Sequence, residues 1–241
     1  MRADRAGMTQ HAEALPKHDV MGPVTRALEA SSLFVACGLV AWNAARFAAE
    51  PRALRWWLPL ALLAGAIAAD LVSGLVHWAA DTWGHESLAF LGPRFLRPFR
   101  VHHLNPEDIL ERDFLDLNGD VALLACPVLL GAALTSLSEE ASQLASVFLA
   151  AFGTFSLPTN LVHLWAHQAN PPRWAAWLQR RGLILSRDVH QGHHTAPHTS
   201  HYCIATGWCN PALEALGFFP ALERAIESLT GARPRSDEAY R

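Results

Sequence analysis

Lysine is almost missing from this chain of 241 residues: Lys17 stands alone beside 18 arginines, a bias that reads as base composition rather than function. Charge of either sign is scarce, 17% of residues against roughly 25% in ordinary soluble domains. A net charge of −3 gives nucleic-acid binding no electrostatic basis. Cysteine is limited to Cys37, Cys126, Cys203 and Cys209. The first two lie in apolar runs and the last two do not make a CxxC, so neither a disulfide framework nor a thiolate zinc site is indicated. Residues 1–28 are polar, with Lys17, His18, Asp19 and Pro23, and no cleavable signal peptide is expected there. The chain has no repeat and no low-complexity segment.

What it has is apolar length: 51% of residues are hydrophobic. Four stretches, near 30–48, 56–83, 118–137 and 141–167, match the ~20 apolar residues needed to cross a bilayer. The short SLSEE link makes the last two an antiparallel hairpin. Trp42, Trp56, Trp57, Trp78, Trp83 and Trp165 cluster at or near the ends of these stretches, where interfacial aromatics belong. With four crossings, one side holds the N-terminus, the loop 84–117 and everything after 168, and it carries 16 of the 19 Lys and Arg residues. The positive-inside rule then puts both termini in the cytoplasm. The expected fold is an all-α polytopic membrane protein of about four transmembrane helices with a cytoplasmic His-rich metal-binding cap. Its expected divisions are a polar tail (1–28), a transmembrane unit (29–215), and an amphipathic helix with a C-terminal tail (216–241). In the last part, Asn210-Pro211 reads as a helix start, Leu222, Ile226 and Leu229 share one face, and Gly231 is a stop. Residues 173–185 mix Trp, Leu and Arg and suit the interface plane.

Histidine is plentiful, and its placement carries the chemistry. Eight of the 13 histidines form one pattern: His77, His102-His103, His163 with His167, and His190-x-x-His193-His194. The topology, assigned without reference to histidine, gathers all eight on the cytoplasmic side. His163 and His167 are four apart, so a helix points both imidazoles the same way. His77 and Asp81 repeat that spacing with a carboxylate, either as a ligand or as a partner that sets a histidine's tautomer. Eight imidazoles exceed one metal's needs and suit two ions acting on one small substrate. Imidazole suits iron, copper and zinc alike. No Glu-x-x-His motif accompanies the clusters, so a di-iron centre here is of the His-rich membrane type. Asp70 sits mid-span, two turns before His77, where a charge is expensive; it reads as a supporting partner more than a ligand. His198 is a candidate extra ligand, His201 is peripheral, and His11, His18 and His85 have no partners in spacing.

Several motifs together resemble the plasmanylethanolamine desaturases and the related plant acyl-lipid trans-desaturases. They are DLVSGLVHWAADTWG (70–84), RPFRVHHLNP (97–106), RDFLDLNGD (112–120), NLVHLWAHQ (160–168), HQGHHTAPH (190–198) and YCIATGWCNPALE (202–214). The resemblance spans about 60–215. It puts the family's histidine motifs on His77, His102, His103, His163, His167, His190, His193 and His194, with Asp81 and His198 in matching segments. It implies a di-iron, O2-dependent membrane oxidoreductase that desaturates the 1-O-alkyl chain of an ether phospholipid to the vinyl ether of a plasmalogen. Two irons, O2 as co-substrate and an external electron donor, cytochrome b5-like or ferredoxin-like, come with that implication.

The residues fit such chemistry, because an alkyl C–H is beyond the reach of a tuned acid or base and requires a cofactor. Arg97, Arg100 and Arg181, with Arg94 and Arg180, are candidates for the lipid phosphate. Three other readings remain at this stage. An acyl-lipid trans-desaturase or hydroxylase would use the same site. A zinc membrane hydrolase would want a glutamate inside the His163–His167 pair, where Leu-Trp-Ala stands instead. A metal carrier would want a His-lined path through the bilayer.

Overall fold

The structure is a computed structural model that describes residues 15–50, 55–89 and 91–235. Among these, every regular element is helical. Four segments are long and apolar enough to cross a membrane: α1 (Pro23–Ala49), α2 (Leu58–Thr82), α4 (Phe114–Leu134) and the pair Glu140–His167. α1 starts at Pro23, where a fixed φ and a missing N–H suit the first helical turn. The fourth segment is two helices, α5 (Glu140–Ser156) and α6 (Thr159–His167). Pro158 separates them, since proline cannot supply the N–H that a continuous helix needs. α6, beyond this break, carries His163 and His167.

α4 packs between α1 and α5, and α5 packs on α2. The α2–α5 approach is close because Gly65 faces Ala151. A Cβ at position 65 would lie 2.5 Å from the Ala151 Cβ and 2.8 Å from the Phe152 nitrogen. Small residues that let backbones meet are the usual basis of helix association in lipid. Polar bonds supplement it: Asn43 Nδ2 donates to the Leu129 carbonyl (3.0 Å), and Arg46 donates to the carbonyls of Ala132 (2.9 Å) and Thr135 (2.7 Å) at the end of α4. At the other end Asp113 caps α4 by accepting from Leu115 N and Asp116 N. The Arg26 guanidinium beside it and these amides hold its carboxyl down to about 2.

Shorter helices form a cap at one end of the bundle: α3 (Arg97–Leu104), entered through a π-helical turn, α7 (Arg173–Arg180), α8 (Arg187–His193), α9 (Asn210–Ala215) and α10 (Phe218–Thr230). Asn210 opens α9 and Gly231, at φ 73°, ends α10. Leu222 and Ile226 of α10 pack on the core, whereas Leu229 is exposed. α10 seats against α2 through Trp78, Tyr202 and Phe219, and Trp78 Nε1 donates to Glu223 (3.0 Å).

The tryptophans divide in a way that their positions in sequence do not reveal. Trp42 and Trp56 are exposed at span ends, but Trp57, Trp78 and Trp165 are buried. Trp57 Nε1 is taken by Glu140 (2.8 Å), and Trp165 packs edge-on to Trp174. An indole belongs to the core once its N–H has a protein acceptor, as for Trp57 and Trp78, or once its ring is packed against others, as for Trp165, so these three are packing residues rather than interfacial ones. His18, read as incidental, is likewise engaged. Its backbone N and Nδ1 both donate to Asp108 (3.1 and 3.0 Å), Lys17 pairs with Glu111 (2.6 Å) and Arg97 with Asp19 (3.0 Å). These bonds strap residues 17–19 across α3 and the segment that follows it. His11 lies outside the described residues.

Asp70 is fully buried and explains a stretch of loop. Its Oδ1 accepts from Thr206 N (2.7 Å) and Gly207 N (2.8 Å), and its Oδ2 from Cys209 N (2.9 Å). Asp70→Ala leaves three donors without an acceptor, at about 1–3 kcal/mol for each buried one. The expected result, read by thermal unfolding in detergent, is a loss of at least about 3 kcal/mol, with Asp70→Asn in between because one carbonyl oxygen remains.

Candidate metal centre

Four chain segments deliver the eight patterned histidines to one place at the cap end of the bundle. α2 brings His77, α3 brings His102 and His103, α6 brings His163 and His167, and α8 with the residue after it brings His190, His193 and His194. They separate into two groups whose ligand atoms lie within 4.8 Å of one another inside each group. One is His102, His163, His167, His190 and His194; the other is His77, Asp81, His103 and His193.

Helical geometry produces the partition. His163 and His167 are one turn apart, and both place Nε2 near His190 Nε2, at 2.8 and 2.7 Å. His190 and His194 repeat that spacing (3.0 Å), and His194 Nε2 lies 3.1 Å from His102 Nε2. Neighbours in sequence face apart on a helix, so His103 turns from His102 to the second group, and His193 from His194. There His193 Nε2 lies 3.1 Å from His103 Nε2. Asp81 Oδ2 stands 3.0 Å from His103, 3.4 Å from His77 and 3.6 Å from His193, at Nε2 in each case. The groups adjoin, with ring centroids 5.6 Å apart for His103–His194 and 5.9 Å for His190–His193.

Backbone carbonyls choose the tautomers. His77 Nδ1 donates to the Tyr202 carbonyl (3.1 Å) and His193 Nδ1 to the Ser200 carbonyl (2.8 Å). Each ring therefore turns a bare Nε2 inward. Tyr202 is brought to His77 by a tight approach of its neighbour: a Cβ on Gly74 would fall 2.4 Å from Cys203 Sγ. The same segment is closed by the Asp70 bonds and by Asn210, which bonds both the N–H and the carbonyl of Cys203 (2.9 and 3.0 Å).

This donor set fits a metal. A neutral imidazole has one N–H and one lone pair, so His190 Nε2 cannot make hydrogen bonds with three other Nε2 atoms at once. In the second group, the lone pairs of His77 and His193 face a carboxylate oxygen, and His77 Nε2 is buried with no hydrogen-bond partner. A cation in each group turns these repulsions into bonds. Imidazole with carboxylate suits iron, zinc or copper.

Burial prepares the rings for that role. It pushes His102, His190 and His193 well below the ordinary histidine value, helped by the neighbouring imidazoles, and brings His194 to about 3. All four rings therefore stay neutral at physiological pH, the form in which an imidazole can bind a metal.

The remaining candidates fall elsewhere. Asp70 is in neither group; its carboxylate is occupied by the 206–209 amides. His198 is also outside both, but its ring packs 5.1 Å from His103 and its Nδ1 donates to the His193 carbonyl (3.0 Å). Arg100 is buried and donates to the carbonyls of Trp83 and Gly84 (3.2 and 2.8 Å), with Glu86 nearby. Arg97 pairs with Asp19 and Glu86, and Arg181 lies over the Trp177 ring. His85 bonds Ser87, and His201 pairs with Glu214 (3.2 Å). Sequence reasoning missed the carbonyls of Ser200 and Tyr202, because a backbone acceptor leaves no trace in residue type.

The lipid desaturase domain, as a family, matches residues 66–237 of the chain. Plasmanylethanolamine desaturase of Myxococcus xanthus is 39% identical over 216 residues, which is 90% of this chain and 77% of that protein. Plasmanylethanolamine desaturase 1 of Mus musculus is 39% identical over 244 residues, 95% and 87% of the two chains. Chloroplastic fatty acid desaturase 4 of Arabidopsis thaliana is 35% identical over 179 residues, 73% and 54%. No solved structure matches.

The lowered histidines fix a pH dependence. Below about pH 6.5 an unfolded chain protonates them and the folded chain does not, so unfolding takes up protons and stability falls with pH. Protein stripped of metal by a chelator should lose up to about 1.4 kcal/mol per pH unit for each such histidine as the pH drops below 6.5. Thermal unfolding in detergent from pH 8 to pH 5 measures it; a flat profile across that range contradicts the burial argument.

Proposed function

The chain belongs to the lipid desaturase family, and from that premise we propose that it is a di-iron membrane oxidoreductase acting on an ether phospholipid. It converts the 1-O-alkyl chain of a plasmanylethanolamine to the vinyl ether of a plasmalogen. The observation that carries this reading is the pair of adjoining donor groups, five histidines and three histidines with Asp81, at the end of a four-span apolar bundle.

In this reading His102, His163, His167, His190 and His194 hold one iron, and His77, His103, His193 and Asp81 hold the other. When bound, the metal pair would supply the O2-dependent oxidation, in which C1 and C2 of the alkyl chain each lose a hydrogen, an external cytochrome b5-like or ferredoxin-like donor gives two electrons, solvent gives two protons, and O2 leaves as two waters. The chain itself supplies position. The Tyr202 and Ser200 carbonyls keep His77 and His193 in the tautomer that presents Nε2. His198 steadies the His193 backbone, and Asp70 holds the loop that carries Tyr202. Packed, buried rings exclude water from the reacting carbons. Those carbons lie next to the lipid head group, and a centre at the end of the bundle sits at a matching depth.

The Lys and Arg distribution supports a cytoplasmic location for this end and for both termini. We assign the desaturase unit to 29–215, with a polar segment before it and an amphipathic helix and tail after it.

The test is expression in a cell lacking plasmalogens, fed an alkylglycerol, with mass spectrometry of its lipids. Acid-labile vinyl ethers are the expected product, and trans-unsaturated acyl chains instead mean the related acyl-lipid reaction. His163→Ala and His194→Ala should each abolish the product, and the purified protein should hold about two irons per chain. Full activity in either variant removes that residue from the ligand set.

A further inference from the structure

A cavity of about 180 Å3 opens between α2, α3, α4 and the α5–α6 break. It is smaller than the roughly 300–1,000 Å3 that encloses a whole drug-sized ligand, so it takes part of a lipid's alkyl tail rather than a whole lipid. One face of α4 grades from charged to apolar along it. Asp116, Asp120, Leu124 and Val128 all line the cavity, and their i,i+4 spacing stacks them on one side of the helix. At 1.5 Å per residue this stripe spans about 18 Å. The facing wall is the Val72–Val76 stripe of α2, and the next residue on that helix is His77. Phe99 closes the space beside the metal centre, its ring 5.1 Å from that of His77.

The charged end is a rim of two ion pairs. Arg94 Nε donates to Asp120 Oδ1 (2.8 Å). Arg112 grips Asp116 with Nε and Nη2 (2.7 and 3.0 Å). Both arginines and Asp116 are largely buried, and Asp120 is about a third exposed. Buried Glu29, 4.0 Å from Arg94 and 3.6 Å from Arg26, adds a third carboxylate beside the two guanidiniums. An anionic head group would satisfy the guanidiniums and leave two carboxylates facing it. A zwitterion replaces both partners at once: its phosphate accepts from the arginines and its ammonium donates to the aspartates.

We propose that this cavity seats the alkyl chain of a zwitterionic phospholipid, with the phosphate on Arg94 and Arg112 and the ammonium on Asp116 and Asp120, so that the rim selects the head group. The proposal rests on the lipid desaturase reading above and replaces Arg97, Arg100 and Arg181, none of which lines the cavity. It also aligns the substrate: with the head group on the rim and the chain running toward Val128, the first carbons pass between the rim and His77.

The test presents the iron-loaded protein, with O2 and a reduced cytochrome b5 or ferredoxin system, in proteoliposomes with equal amounts of 1-O-alkyl lipids bearing phosphoethanolamine and phosphoglycerol heads. Product ratio is one readout, and lipid retention by native mass spectrometry is a second that needs no turnover. The wild type should favour the ethanolamine lipid in both. Asp120→Asn should shift both ratios toward the glycerol lipid by about tenfold, the scale of one charge-assisted hydrogen bond. Val128→Trp, about two turns beyond Asp120, should keep the head-group ratio and discriminate against longer alkyl chains. Retention without head-group preference in the wild type, or unchanged ratios in Asp120→Asn, overturns the proposal. Preferential retention with no vinyl ether from either lipid overturns the proposed reaction and leaves the rim standing.

Discussion

His190 Nε2 lies within 3.0 Å of the Nε2 atoms of His163, His167 and His194. Nitrogen lone pairs do not tolerate that crowding by themselves, and the rest of the structure is arranged to hold them there. α6, which follows α5 after the Pro158 break, brings the two imidazoles of His163 and His167 to one point. α8 is only seven residues long, yet it serves both groups, because spacings of four and of three leave its surface in different directions. A small rotation of either helix separates the set, which places a premium on rigid support.

That support comes largely from one irregular segment, 200–210. It gives carbonyls to His193 and His77, and it is fastened in turn by Asp70, Asn210 and the close Gly74–Cys203 contact. A buried carboxylate in the middle of a membrane helix is tolerable when it accepts from three amides, and here those amides belong to a loop that would otherwise be poorly ordered. The energetics of the bundle and the geometry of the centre are therefore coupled through Asp70, although it touches no histidine of the two groups. α10 adds a second brace, since Tyr202 is wedged between His77 and Phe219.

Much of this was legible along the chain. Apolar length identified the four crossing segments, because the bilayer sets a minimum run that few buried helices need. Helical period paired His163 with His167 and His77 with Asp81, since side chains four apart share a face. What remained hidden depended on contacts distant in sequence. Trp57, Trp78 and Trp165 occupy positions like those of Trp42 and Trp56 but find acceptors or ring partners in other elements. His18 looked solitary because Asp108, its partner, lies 90 residues away. Arg97 and Arg100 resemble lipid contacts in sequence, but Asp19, Glu86 and two loop carbonyls hold them.

The sequence alone determined the chemistry available: eight patterned imidazoles, few charges, four membrane-length runs and motifs of a lipid desaturase. Those are properties of residue type and spacing, which act locally. The division into five donors and four was decided only by tertiary structure. His102 and His103 are adjacent in the chain, and so are His193 and His194, yet each pair splits between the two groups. A helix turns successive side chains apart, and only the packing of α2, α3, α6 and α8 determines what each one meets.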